Sequence, residues 1–138
     1  MVAALAVLPG AAPLASLDLD VTGLRSTRGL IQVCVTMRAA DFPDACDKDP
    51  AARKLTVPAT HTGPLRFADM PPGGYAIALF HDENGNGRLD KRFGFVPLEG
   101  IGFSNNARIR FGPPSFATAR FTLTDQPQEE TVKLQYFL

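Results

Sequence analysis

The segment with the clearest chemical signature is polar and rich in glycine: it runs from residue 81 to 90 and reads His-Asp-Glu-Asn-Gly-Asn-Gly-Arg-Leu-Asp. Oxygen donors at alternate positions of a tightly bent chain are typical of calcium loops. The predicted ligands are four side chains and one main-chain carbonyl: Asp82, Asn84, Asn86, Asp90 and the carbonyl of Arg88. The twelfth position, a glutamate in an EF-hand, is Phe93. We therefore predict a weak calcium site of another type, with a dissociation constant of about 10⁻⁴–10⁻³ M.

The same residues are also compatible with a plain turn between two strands. Asn84-Gly85 and Asn86-Gly87 are strong turn dipeptides without any ion. If calcium does bind, Glu83 or Glu99 is available to complete its ligand shell. Both interpretations of the loop stay open at this level.

A second unusual segment, from residue 102 to 116, combines amides, arginines and phenylalanines with Gly and Pro. Its candidate binding residues are Asn105, Asn106, Arg108 and Arg110. Such side chains beside aromatic rings suit a glycan or a peptide. The alternative, which we favour, is a structural loop that the asparagine amides hold in place, because long loops need such anchors.

Catalysis has less support. His81 and Asp82 are adjacent and could form half of an acid–base pair, which makes a small metal-assisted hydrolase the alternative function. That function requires His61 and Arg108 to converge on the same pocket. The sequence shows no serine elbow and no phosphate-binding lysine in the glycine-rich segment.

Length and composition indicate the fold that must position these residues. The chain has 138 residues, of which 45% are hydrophobic and 20% charged, as expected of one globular domain. Fourteen basic residues balance fourteen acidic ones, which argues against nucleic-acid binding. Twelve Gly and twelve Pro interrupt the chain too often for long helices.

Hydrophobic alternation predicts short strands. Leu17, Leu19 and Val21 alternate with polar residues, and residues 31–37 and 117–123 do the same. Residues 75–80 are apolar on both faces, as in a central strand. We predict an all-β fold, an antiparallel Ig-like or transthyretin-like β-sandwich of about seven strands, whose first two strands could form a hairpin.

The amino terminus and the two cysteines point to export. Residues 1–16 are uncharged, with an apolar run followed by small residues, and are predicted to be a truncated signal peptide, leaving 17–138 as one domain. Cys34 falls on the outer face of the second strand and Cys46 in the following loop, so we predict a disulfide between them. Disulfides persist in oxidising compartments, which favours a periplasmic or secreted bacterial protein without a membrane span after signal removal.

Three segments in combination resemble the bacterial domain-of-unknown-function family 2141: residues 70–90, 100–107 and 111–116. The resemblance implies an exported protein and nothing specific about activity. The segment Pro71–Tyr75, which enters the central strand, is also similar to transthyretin-like and carboxypeptidase-regulatory sandwich domains, which are mostly structural or binding modules. From these features we expect a non-enzymatic module of the cell envelope that binds an envelope component, a glycan or a peptide.

Overall fold

A computed structural model describes residues 13–138, which form ten strands, one helical turn and three 3-10 turns. The strands are β1 (Ala15–Thr22), β2 (Leu30–Thr36), β3 (Arg53–Pro58), β4 (Leu65–Met70), β5 (Gly73–Asp82), β6 (Lys91–Arg92), β7 (Val96–Pro97), β8 (Ile101–Phe103), β9 (Phe121–Leu123) and β10 (Gln128–Lys133). The helical segments are α1 (Phe116–Ala119) and the 3-10 turns Ala39–Asp41, Cys46–Lys48 and Ser104–Asn106. In this part of the chain no helix is long and apolar enough to cross a membrane.

The strands form two main sheets, which confirms the predicted β-sandwich. The first has the order β10-β1-β4 and the second the order β3-β2-β5-β8. Strand pairs in these sheets are antiparallel, except that β1 pairs with β10 in parallel. The predicted hairpin of the first two strands is wrong, because β1 and β2 lie in different sheets and the segment 23–29 crosses between them.

Alternation along the strands gives each sheet one face toward a shared core. Leu17, Leu19 and Val132 of the first sheet are fully buried against Val33 and Ile77 of the second. Burial of such side chains is the main favourable contribution to folding, at roughly 1.5–3 kcal/mol for each. This core fixes which residues of β2 and β5 point inward and which point to the opposite face.

A smaller apolar cluster covers that opposite face of the second sheet. Ala76 on β5 and Ile101 and Phe103 on β8 pack there against Ala107 and Ala119. The Phe42 ring meets the Phe103 ring edge to face at 5.9 Å between centroids. The loops after β2, β5 and β8 therefore fold back over the outer face of this sheet.

The loop after β2 is fastened by the predicted disulfide between Cys34 and Cys46, which the structure contains. Lys54 on β3 forms an ion pair with Asp47 in the same loop, with Nζ and Oδ1 2.9 Å apart. The buried Asp49 carboxylate accepts a 2.7 Å hydrogen bond from the Thr36 hydroxyl. The predicted signal peptide, residues 1–16, lies outside the described residues except for its last four.

Candidate functional site

The candidate calcium loop begins at the end of β5 with Asp82, whose side chain is fully buried. One carboxylate oxygen accepts a hydrogen bond from the amide of Asn86 at 3.2 Å, and the other accepts from the amide of Gly87 at 2.8 Å. The side-chain amide of Gln32 on β2 donates to the second oxygen at 3.2 Å. Gly85 and Gly87 have positive φ angles of 67° and 76°, which let the chain turn around this carboxylate.

Asp90 closes the loop from its other end. Asn84 donates its Nδ2 hydrogen to Oδ2 of Asp90 at 2.7 Å, and Asn86 donates to Oδ1 at 3.0 Å. The hydrogen bonds from Asn86 and then Asn84 lower the pKa of the Asp90 carboxyl, because they stabilise its charged form. The structure thus brings together all four predicted side-chain ligands. Arg88 donates its backbone amide to Oδ1 of Asn86 at 2.9 Å, and its side chain is exposed.

A third carboxylate, that of Glu99, joins the loop from the strand connection that follows it. Its Oε2 accepts from the amide of Glu83 at 2.7 Å and its Oε1 accepts from the amide of Asp90 at 3.1 Å, so this buried side chain links both ends of the loop. Burial raises the pKa of Glu99, and the negative charges of Asp90 and Asp82 raise it further. Of the two glutamates named from the sequence, Glu99 is the one that lies with the loop.

Within Pro13–Leu138, no group of three or more His, Cys, Asp or Glu side chains has the spacing of a formed metal site. The carboxylates are held by amide groups, and the Nδ2 atoms of Asn84 and Asn86 contact Asp90 where an ion would contact it. A calcium ion would therefore have to replace these amide hydrogens as the partner of Asp90 and take the asparagine oxygens as ligands.

Glu83 faces away from the loop and fastens it to the connection between the two sheets. Arg25 forms a short charge-assisted contact with its carboxylate, Arg28 donates at 3.0 Å, and the Ser26 hydroxyl donates at 3.0 Å. Burial alone raises the pKa of Glu83, but the hydrogen bonds from Arg25, Ser26 and Arg28 outweigh it and lower this pKa. Its role in this geometry is to hold the loop against the segment 23–29.

The geometry does not assemble the acid–base pair of the alternative hydrolase. His81 is fully buried, its Nε2 lies 2.6 Å from the Arg28 carbonyl oxygen and its Nδ1 lies 2.9 Å from the Tyr136 hydroxyl. Because neighbouring residues of a strand point to opposite faces, the Asp82 side chain lies on the other side of the sheet. His61 and Arg108 are exposed, and no hydrogen bond joins either to His81 or Asp82 among the described residues.

The four candidate residues in the loop after β8 fall into two groups: two asparagines that bond to backbone and two arginines that are exposed. Asn105 donates to the carbonyl oxygens of Thr118 and Arg120 at 3.1 and 2.9 Å, and Asn106 accepts from the Lys133 amide at 3.1 Å. Both amides thus tie the loop to neighbouring backbone, as the structural interpretation expected. Arg108 and Arg110 are exposed and point their charges toward solvent. A binding role for this loop therefore depends on its arginines and on the aromatic residue beside them.

Beside the candidate loop lies a large groove of about 1060 Å³ on the outer face of the second sheet. Its floor includes Ala78, Phe80 and Ile101, and residues 87–89 of the candidate loop form part of one wall. Phe95 and Phe111 stand at its edge and are 75% and 113% exposed. The volume is slightly above the usual range for small-molecule sites, about 300–1,000 Å³.

The sequence did not predict this groove. Phenylalanine side chains normally lie in the hydrophobic core, and the strand pattern gives no sign that Phe95 and Phe111 stay in solvent. The signal in the sequence was compositional. Residues 100–124 contain no Asp or Glu, and residues 103–116 contain three Phe and two Arg in addition to two Asn. Such a run of apolar and basic residues is unusual for a purely solvated loop.

Similarity to known proteins identifies the family of this chain. Two crystal structures of a pilus-presented adhesin, Spy0125 (Cpa), superpose on 91% of this chain with TM-scores of 0.39 and 0.37 and identities of 12% and 13%. The chain spans 28% and 27% of the length of those two structures. No curated protein matches the sequence. The profile of a bacterial family described as an uncharacterized protein conserved in bacteria (DUF2141) matches residues 19–131, and the chain therefore belongs to this family, as its motifs had predicted.

Proposed function

We propose that the protein is an exported, non-enzymatic ligand-binding module of the bacterial cell envelope, stabilised by calcium at the loop from Asp82 to Asp90. The observation that supports it best is that Asp82 and Asp90 stand at the two ends of one short loop, that the Glu99 carboxylate links these ends, and that residues 87–89 of the loop also line the groove. Ligands in proteins are usually held in such a concave, mostly apolar site with a few polar groups at its edge.

Calcium suits this loop because it takes six to eight oxygen ligands in flexible geometry. The three carboxylates and the amide oxygens of Asn84 and Asn86 offer more than enough oxygen atoms. Binding would offset the mutual repulsion that helps to raise the pKa of Glu99. An ion held in this way would order the groove wall rather than take part in a reaction.

Thermal unfolding of the oxidised protein tests the calcium site. We expect the melting temperature to rise by several degrees between EGTA and millimolar calcium, because an ion that binds only the folded state stabilises it. The double variant Asp82→Asn/Asp90→Asn should lose this rise. The matched control Asp125→Asn/Glu129→Gln removes the same charge from exposed positions and should keep it. Equal melting temperatures of the wild-type protein in both conditions would refute the calcium site.

The export proposal rests on the disulfide and on the uncharged amino terminus. Thiol trapping in intact cells checks it: Cys34 and Cys46 should resist a maleimide reagent until a reductant is added. Two cysteines that react at once in the cell would be reduced, as is usual in the cytoplasm, and the support for export would be lost. This result is independent of the calcium measurement.

A further inference from the structure

Strongly exposed aromatic rings and basic side chains share the edge of the groove. Phe95 and Phe111 come from different loops, yet both line this one depression, together with Arg88 and Lys91. Exposed apolar surface of this extent is unfavourable in water and commonly marks a site of interaction. Nothing in the described part of the chain covers either ring.

The charges at this edge are unbalanced. Lys54 is paired with Asp47, whereas no ion pair forms with Arg88 or Lys91 among residues 13–138. The lining of the groove holds three basic side chains, Lys54, Arg88 and Lys91, against two acidic ones, Asp44 and Asp47. Residues 91–98 and 100–124 contain no Asp or Glu. The part of the edge that Arg88 and Lys91 form therefore favours a negatively charged group.

The floor of the groove offers an apolar surface and few free hydrogen-bonding groups. Its polar side chains already bond to each other: the Thr56 hydroxyl donates to the Gln32 amide oxygen, and the Gln32 amide nitrogen donates to Asp82. A glycan would require several free donors and acceptors here. An aliphatic chain requires none, and contact with Ala78 and Phe80 would remove it from water.

We propose that the groove binds one long-chain amphiphile with an anionic head group. Its apolar chain lies on the outer face of the second sheet between Phe95 and Phe111, and its carboxylate or phosphate lies at Arg88 and Lys91. This ligand class rests on the proposed function of the protein as a ligand-binding module. It does not depend on the calcium ion.

Fluorescence titration with cis-parinarate, a polyene carboxylate that emits in apolar surroundings, tests the proposal in EGTA. We expect saturable binding at one site per chain, and about fivefold weaker binding of the uncharged methyl ester. The variant Phe95→Ser/Phe111→Ser should bind parinarate about tenfold more weakly, because two rings lose their apolar contact. Both side chains are exposed, so the fold should be retained, and circular dichroism verifies it.

Two further variants test the head-group preference and the position of the bound chain. Arg88→Gln/Lys91→Gln should abolish the preference for the carboxylate over the ester and leave ester binding unchanged. Phe93→Ser is the matched control, since Phe93 is 81% exposed on the same hairpin but does not line the groove, and it should bind parinarate normally.

Sedimentation with phosphatidylglycerol vesicles distinguishes a single amphiphile from a membrane surface. If the protein binds vesicles and not monomeric parinarate, and Phe93→Ser weakens that binding, the exposed rings serve a bilayer and the groove proposal is overturned. Absence of saturable parinarate binding overturns it as well. Because these titrations contain EGTA, a failure of the calcium site leaves their result unaffected.

Discussion

The buried imidazole of His81 and the hydroxyl of Tyr136 form a hydrogen bond, with Nδ1 and the phenolic oxygen 2.9 Å apart. The tautomer follows from the other nitrogen: Nε2 lies 2.6 Å from the Arg28 carbonyl oxygen, which can only accept, so Nε2 carries the hydrogen. In a neutral ring Nδ1 then accepts from Tyr136, whose oxygen in turn accepts from the Arg25 amide at 3.1 Å. His81 thus connects β5, the inter-sheet segment and the carboxyl-terminal residues.

This arrangement predicts a structural and not a catalytic effect of Tyr136→Phe. The substitution leaves the buried Nδ1 of His81 without a donor, which costs about 1–3 kcal/mol of unfolding free energy. Urea unfolding followed by circular dichroism measures the loss. Tyr75→Phe is the control, because Tyr75 donates one bond to the Pro71 carbonyl and should cost about 0.5–1.5 kcal/mol. Equal stability of Tyr136→Phe and wild type would refute the stabilising role of this hydrogen bond.

The disulfide predicts a second stability effect. Cys34 and Cys46 are 12 residues apart, and closing a loop of this length stabilises the folded state by about 3 kcal/mol in the chain-entropy model. The variant Cys34→Ala/Cys46→Ala should lose about this much unfolding free energy in urea. Dithiothreitol should destabilise the wild-type protein by a similar amount and leave the variant unchanged. A wild-type protein that is indifferent to reduction would contradict the structural role of the bond.

Asp49 predicts how stability depends on pH. The hydrogen bond from Thr36 lowers the pKa of the Asp49 carboxyl, with help from the Ala51 amide and the charge of Arg38, although burial opposes it. A depressed pKa in the folded state stabilises the protein above the unfolded pKa of about 3.9 and loses that effect as pH falls through the folded pKa.

Asp49→Asn should therefore lower the urea midpoint at neutral pH, and the difference from wild type should shrink as the pH falls below about 4. Asp44→Asn, in the same loop and without a side-chain hydrogen bond of this kind, should show neither effect. If the difference in urea midpoint between wild type and Asp49→Asn stays constant with pH, the loss of stability arises from the changed shape of the side chain and not from its charge.

Local patterns identified part of the fold, and contacts between distant segments decided the rest. Alternation at Leu17 and Leu19 is local, and it identified β1 and its buried face. The face of β2 on which Cys34 lies is equally local, and it indicated the disulfide. The parallel pairing of β1 with β10 joins residues more than a hundred positions apart, and no local pattern encodes it. The same reason explains the wrong hairpin of the first two strands.

The candidate site shows the same division. The spacing from Asp82 to Asp90 indicated a loop in which these side chains meet. Arg25 and Arg28 in the inter-sheet segment bind Glu83. For this reason Glu83 faces away from the loop, and Glu99 is the glutamate that contacts it. The exposure of Phe95 and Phe111 depends on how two loops fold over one sheet. The hydrophobic periodicity of single strands contains no information about this arrangement.

The position of Gly87, Arg88 and Leu89 predicts that calcium and the amphiphile bind cooperatively. These residues lie between the two aspartates of the candidate loop and also line the groove. An ion that orders the loop should therefore fix one groove wall before the ligand arrives, and the ligand should favour the ordered loop in turn. Coupling between two binding sites is reciprocal, so each should raise the affinity of the other by the same factor, about fivefold for a weak coupling.

Parinarate titrations in EGTA and in millimolar calcium measure one direction of this coupling, and calcium titrations with and without parinarate measure the other. Asp82→Asn/Asp90→Asn should bind parinarate with the same affinity in both conditions, because it lacks the ion that transmits the effect. If the wild-type protein binds both ligands but neither changes the affinity of the other, the loop is equally ordered with and without calcium. The groove and the loop would then be two independent sites on one sandwich.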